Sequence, residues 1–193
     1  MKKLNLTLVL VLVLTLAVQT FAGDFRLTNK RFVLGAMSLV ALNETLQSKD
    51  ELTVHVIGNQ YVAEELVIYK DQKVGAATLV KISCSTDLPV NKPDVILVTE
   101  GADVQQVVEY CQDNGVFSIA NNTEACRQGI STAVAAKLPL ILDHPYSISS
   151  VYAKINTSSL FAEGMKLNTQ VKSVSKEVEK SDYDEELAVI QLY

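Results

Sequence analysis

Tryptophan is absent from the 193 residues, and the 12 Phe and Tyr residues are dispersed along the chain. A stacking platform for sugars or bases therefore has little support. Positive charge is in deficit: 17 Lys and Arg stand against 22 Asp and Glu, for a formal net charge of -5. Such a chain meets a phosphate backbone or anionic lipid with net repulsion, so nucleic acid is not expected as a partner. There are only two His and three Cys. Cys84, Cys111 and Cys126 are separated by 27 and 15 residues and no H-E-x-x-H occurs, whereas zinc and iron-sulfur sites need short paired spacings. Neither a metal nor a cofactor is expected. The frames G-x-S-x-G, G-x-G-x-x-G and the phosphate loop are missing too, the nearest text to the first being QGIS at 128 to 131.

What is present begins with an address. Lys2 and Lys3 precede the apolar run LNLTLVLVLVLTLAV, and QTFA follows, with small Ala22 before the cut. This is the three-part pattern of a cleaved signal peptide over residues 1–22. An uncleaved anchor is the alternative, because the run approaches the length that crosses a bilayer. Cleavage removes two Lys and no acid, leaving 15 basic against 22 acidic residues and a net charge of -7. Beyond it the longest apolar stretch, Phe32 to Leu42, contains Gly35 and Ser38 and is too short to span. About 171 residues suit one domain. In an oxidising compartment three cysteines allow one disulfide and one free thiol in three pairings, or a reduced buried set. Cys111 with Cys126 is favoured because it closes the shortest loop.

The text from Arg26 to Gln47 reads as a largely buried helix, and LTVHVIG at 52 to 58 as a first core strand. Gln60 to Tyr69 suits an amphipathic helix. Strands are predicted at Ala77–Ser83 and Asp94–Thr99, with Pro89 and Pro93 in the loop between them. The nearly unbroken apolar DVILVT is the mark of a strand covered on both faces. Asp103 to Gln112 supplies a covering helix closed by Asn114-Gly115. A strand at Val116–Ala120, a short helix at Thr123–Gln128 and strands at Leu138–Asp143 and Val151–Asn156 follow. Apolar positions at 160, 167, 171, 174 and 178, with Gly164 on the same line, predict a long helix from Thr157 to Val178. The remaining residues, 179–193, form an acidic tail whose end, AVIQLY, is a candidate terminal strand or docking segment. Together these predict a three-layer α/β domain over 23–178, a mostly parallel sheet flanked by helices, with a long C-terminal helix.

Ligand crevices of open α/β sheets lie beyond the carboxyl ends of the strands. The candidates there are Asn59, Glu100, Asn122, Asp143 and His144. Asp143 and His144, in the cluster DHPYS, form a carboxylate-imidazole pair suited to acid-base work. His55, inside the first strand, reads as structural.

The order of these segments resembles the YfiR-like family of exported bacterial proteins. The resemblance rests on LTVHVIG, LVIYKDQKVGAATLVKIS, KPDVILVT, GVFSIANNTEACRQGIS and YAKINTSSLFAEGMKLNTQVKSVSKEV, roughly residues 30 to 178. It implies a periplasmic α/β domain without enzymatic activity, which binds the periplasmic part of a membrane signalling protein such as a diguanylate cyclase and holds it inactive. The family's redox-responsive members carry paired cysteines, whereas this chain has three. Segment Ala133–Ser150 is longer and more apolar than the family pattern. A second copy of the chain is a further candidate partner. The competing expectations are a periplasmic small-ligand binding module using Asn59, Glu100 and Asn122, and a hydrolase centred on His144 and Asp143.

Overall fold

The computed structural model describes residues 27–136, 151–168, 179–180 and 186–191. The signal segment, the strand expected at 138–143, Asp143, His144 and residues 169–178 of the expected helix lie outside them.

Helix α1 (Asn29–Leu42) starts where the Thr28 hydroxyl accepts from Arg31 N–H and stops at Asn43, whose side chain accepts from Leu46 N–H and so opens the short α2 (Glu44–Gln47). The single helix expected here is therefore divided by an N-cap residue that restarts it. Strand β1 (Glu51–Ile57) follows, then α3 (Gln60–Leu66), capped by Asn59 and continued by a 3-10 turn at Val67–Tyr69. A two-residue β2 (Lys73–Val74) turns back into β3 (Ala77–Ser85). Next come β4 (Val95–Val98), α4 (Val104–Asn114), β5 (Phe117–Ala120), α5 (Thr123–Arg127) and β6 (Thr132–Ala136). Helix α4 ends on Gly115 in the left-handed region, φ 60, as Asn114-Gly115 predicts. Strand β7 (Val151–Asn156), α6 (Thr157–Ala162), β8 (Glu179–Lys180) and β9 (Glu186–Gln191) complete the described chain.

The sheet runs β2-β3-β1-β4-β5-β6-β7-β9-β8. Strands β3, β1, β4, β5 and β6 pair parallel, while β2, β7, β9 and β8 join antiparallel. The α/β class and the parallel centre agree with the sequence; the antiparallel flanks are additional. Alternation along the strands sorts the core in two. Val54, Val56, Val95, Leu97, Phe117 and Ile119 face one way, packed with α1 and α3 through Phe32, Leu39, Val62 and Leu66. Ile57, Ile96, Val98 and Ala120 face the other way, with Val107, Val108 and Cys111 of α4 and Cys126 of α5. A side chain of the size of Phe32 or Leu39, fully buried, contributes about 2–3 kcal/mol.

The long C-terminal helix is corrected at its start. Helix α6 has six residues, and Gly164 follows with φ +71. Residues 165 to 168 then run extended: Leu167 bridges Asn43, Glu44 N–H donates to Lys166 O at 2.7 Å, and Asn168 N–H donates to Leu42 O at 2.8 Å. Thr45 Oγ1 donates to Gly164 O at 3.3 Å, and Lys166 Nζ meets Glu44 Oε2 at 2.6 Å. This clasp fastens the segment after α6 to the junction of α1 and α2. Met165 and Leu167 are buried while Gly164, Lys166 and Asn168 are exposed, a period of two in place of the helical stripe. Strand β9, expected inside an acidic tail, hydrogen-bonds to β7 as part of the sheet.

Candidate functional site

Two of the expected strand ends come together. Gly58 has φ +101, and a Cβ there would lie 2.6 Å from Thr99 Oγ1 and 2.8 Å from Glu100 O, so only glycine fits the exit of β1. Thr99 Oγ1 donates to Ile57 O at 2.7 Å and accepts from Asn59 N–H at 2.8 Å, tying the ends of β1 and β4. The side chains proposed to hold a ligand have local work at this rim. Asn59 Oδ1 accepts from Tyr61 N–H at 2.9 Å and starts α3. Asn122 Oδ1 accepts from Ala125 N–H at 2.8 Å and starts α5, and its Nδ2 donates to Asn121 Oδ1 at 3.2 Å. Glu100 is exposed.

From the exit of β1 at Gly58 and Gln60 a concave surface continues to the outer edge of the sheet. A groove of about 700 Å³ runs between α3 and β3, lined by Ala63, Val67, Val80, Ile82 and Cys84, with Glu64, Lys70 and Lys81 at its margins. Beside it Tyr61, Val67 and Ile68 are 68, 58 and 66% exposed. Tyr61 and Ile68 are seven residues apart, two helical turns, and so share one face of α3 and its 3-10 extension. Contiguous apolar surface left exposed marks an interaction site more often than a scatter of single residues does.

Three polar clusters stand out in the structure; the first holds His55, and the other two escaped the reading of the sequence. His55 is 4% exposed, with Nδ1 2.8 Å from Ser83 Oγ and Nε2 3.0 Å from Ser85 Oγ. Ser85 Oγ donates to Asp87 O at 2.6 Å and hence accepts from Nε2–H, leaving Nδ1 to accept from Ser83. Burial holds the imidazole below its ordinary pKa, against the opposing pull of the Asp87 carbonyl. The structural role expected for His55 is what the geometry serves.

The second cluster is centred on Glu163, 1% exposed. The N–H of Ser118 points away from β4 but lies ahead of the start of β6, whose pairing with β5 begins at Ile119 and Thr132. Glu163 fills that position: Oε2 accepts from Ser118 N–H at 3.2 Å and Oε1 from the Ser118 hydroxyl. Ser131 N–H donates to Ser118 Oγ and Ser131 Oγ to Ser118 O, each at 2.9 Å. Burial pushes the carboxyl pKa up to about 8, against the downward effect of the Ser118 and Ser131 bonds. Nothing in the sequence announces this, since a Glu after a helix reads as a solvated end.

In the third, Asp94 accepts at 2.7 Å from Thr53 N–H and at 2.8 Å from Thr53 Oγ1, and pairs with Lys49. Burial would raise this carboxyl's pKa, but the bonds from Lys49 and Thr53 together outweigh it and hold the pKa low.

The expected disulfide is corrected. Cys111 and Cys126 form no disulfide and are buried in the apolar cluster under α4 and α5, and Cys126 Sγ donates to Lys154 O at 3.7 Å. Burial, with the Glu163 charge adding to it, pushes the Cys111 thiol well up. Cys84 is free and exposed, and partial burial raises its pKa as well, which disfavours the nucleophilic thiolate. Among the described residues no group of three or more His, Cys, Asp or Glu is placed to hold a metal ion, and no helix is long and apolar enough to cross a membrane. Compared with known proteins, the chain matches no family model, and no curated protein matches it.

Proposed function

We propose that the chain is an exported, non-catalytic regulatory domain of three layers, which binds the periplasmic part of a membrane signalling protein, such as a diguanylate cyclase, and restrains it. The layering is supported by the packing of α1 and α3 with one half of the core and of α4 and α5 with the other. The observation that carries the binding role is the exposure of three large apolar side chains of α3 and its 3-10 extension, Tyr61, Val67 and Ile68, beside the edge groove. These side chains gain nothing from folding while they remain in water, and a partner's apolar surface is what would bury them. The resemblance to the YfiR-like family supplies the class of partner.

The test is capture from native membranes. The protein carrying a photo-crosslinker in place of Tyr61 is expected to retrieve an inner-membrane signalling protein, and Val67→Asp with Ile68→Asp to abolish the capture while leaving the melting temperature unchanged. Equal capture by the double variant, or a thermal shift on adding a small ligand with no protein retrieved, overturns the reading.

A further inference from the structure

Residues 163 to 168 are held at their two ends by different means. At one end the Glu163 side chain is buried against Ser118 of β5 and the turn that enters β6. At the other, Leu167 and Asn168 lie along the junction of α1 and α2. Between them Gly164, at φ +71, is exposed, and a Cβ built there meets no atom within 4 Å among the described residues. Nothing described packs on the point about which the segment would pivot.

The protons around Glu163 can be counted. Ser118 has one hydroxyl proton and two neighbours able to take it, Glu163 Oε1 and, at 3.2 Å, Ser131 Oγ. An ionised carboxyl claims that proton, and Ser131 Oγ goes without a donor. A protonated carboxyl reverses the contact: Oε1–H donates to Ser118 Oγ, Ser118 O–H to Ser131 Oγ, and Ser131 O–H to Ser118 O at 2.9 Å. Glu163 Oε2 still accepts from Ser118 N–H, and Ser118 Oγ from Ser131 N–H. Every proton of the cluster then has an acceptor, so the neutral acid is the form the site completes. The ionisable neighbour on α4 is the Cys111 thiol, which burial keeps protonated. Helix α6 carries no charged residue. Lys154 of β7 turns to this side of the sheet, but the forces on the carboxyl are burial and the serine bonds.

We propose that residues 163–168 are a proton-operated strap, closed over the junction of α1 and α2 while the Glu163 carboxyl holds its proton and released when that proton is lost to solvent. Release returns the carboxylate to water, which the buried site denies it. What remains to hold the strap is local: the main-chain bonds of Glu44 and Asn168, the Thr45 contact to Gly164 O, the Lys166–Glu44 pair at the surface, and the side chains of Met165 and Leu167. One group under the strap gains from opening. Asn43, which Leu167 bridges, is fully buried, and its Nδ2 finds no acceptor among the described residues. Water reaching it would remove that deficit. Opening also bares Met165 and Leu167, an apolar pair that the closed form hides.

The experiment needs only the purified chain, so its outcome is independent of whether a membrane partner is ever captured. Hydrogen exchange at the Glu44 and Asn168 amides, each rate divided by the unprotected rate at the same pH, gives the opening constant of the strap. The carboxyl titrates at about 8 in the closed strap and at 4.5 once released. The constant is therefore expected to rise by up to about tenfold per pH unit above pH 5 and to level off above about pH 8. It should ignore low urea, whereas the Leu97 amide in the middle of β4 should exchange far more slowly and accelerate with urea. In Glu163→Gln the amide donates to Ser118 Oγ and accepts from Ser118 N–H as the neutral acid does, and the profile should be flat. Lys166→Ala should raise the constant about two- to fivefold at every pH without changing the shape. A flat profile in the native chain, a rising one in Glu163→Gln, a flat one in Lys166→Ala, or strap amides that exchange only as fast as Leu97 and follow its urea dependence overturns the proposal.

Discussion

The two faces of the sheet bury different chemistry. Under α1 and α3 the strands contribute Val54, Val56, Val95, Leu97, Phe117 and Ile119, a wholly apolar set. From the same strands, the alternate residues include His55 and Ser118, which are buried with Ser131, Glu163, Cys111 and Cys126. Alternation within β1 and β5 thus puts non-directional packing on one side and proton-bearing groups on the other. The first depends on volume and ignores pH. The second depends on who holds each proton.

The largest effect is expected from the apolar face. Leu97→Ala leaves a cavity at the centre of the sheet and should cost about 2–5 kcal/mol, measured by denaturant unfolding, with the same loss at pH 5 and pH 8. A loss that varied with pH would break the division between the faces.

Next comes Glu163. Its pKa of about 8 lies above the unfolded value of 4.5, so the folded state binds the extra proton between those values. The contribution is fully present below pH 4.5 and is lost as pH rises through about 8, at a limiting rate of about 1.4 kcal/mol per pH unit. Melting temperature should fall from pH 5 to pH 9 in the native chain, and Glu163→Gln should flatten that slope.

The smallest effect belongs to His55, whose pKa is lowered from 6.5. Here the unfolded state takes the proton first, so stability is present above about pH 6.5 and declines as pH falls through the lower folded value. Replacing it, as in His55→Gln, should remove this acid limb and leave the alkaline one untouched. Retention of the acid limb in that variant would assign it to other groups.

Most of the elements were legible because their signals are local. The unbroken VILV of β4, the cap at Asn59 and the Asn114-Gly115 stop need only neighbouring residues to act. Strand β6 was missed because TAVAA has three Ala and offers little β-branched density, its identity coming from pairing with β5 and β7. The long helix was overcalled because its stripe runs through Gly164, which takes φ +71 just after α6, whereas Gly35 continues α1; apolar spacing alone does not distinguish the two. Of the candidate site, Asn59 and Glu100 were correctly placed at the rim, since strand ends can be counted from sequence. Their duties could not be read, because an Asn before a helix has the same text whether it caps or binds. Glu163 was invisible for a further reason: the Ser118 N–H it satisfies lies 45 residues away in the chain.

The clasp between Leu167 and Asn43 sets an order of assembly. Thr45 meets Gly164 across 119 positions, so the junction of α1 and α2, although among the first parts to be synthesised, cannot be finished until nearly the whole domain exists. Loop closure over that distance adds little to the free-energy cost, because the cost grows only logarithmically with length. Its consequence is kinetic: such contacts form late. A chain stopped before Glu163 would lack both the carboxyl that completes β5 and the segment that clasps the junction of α1 and α2.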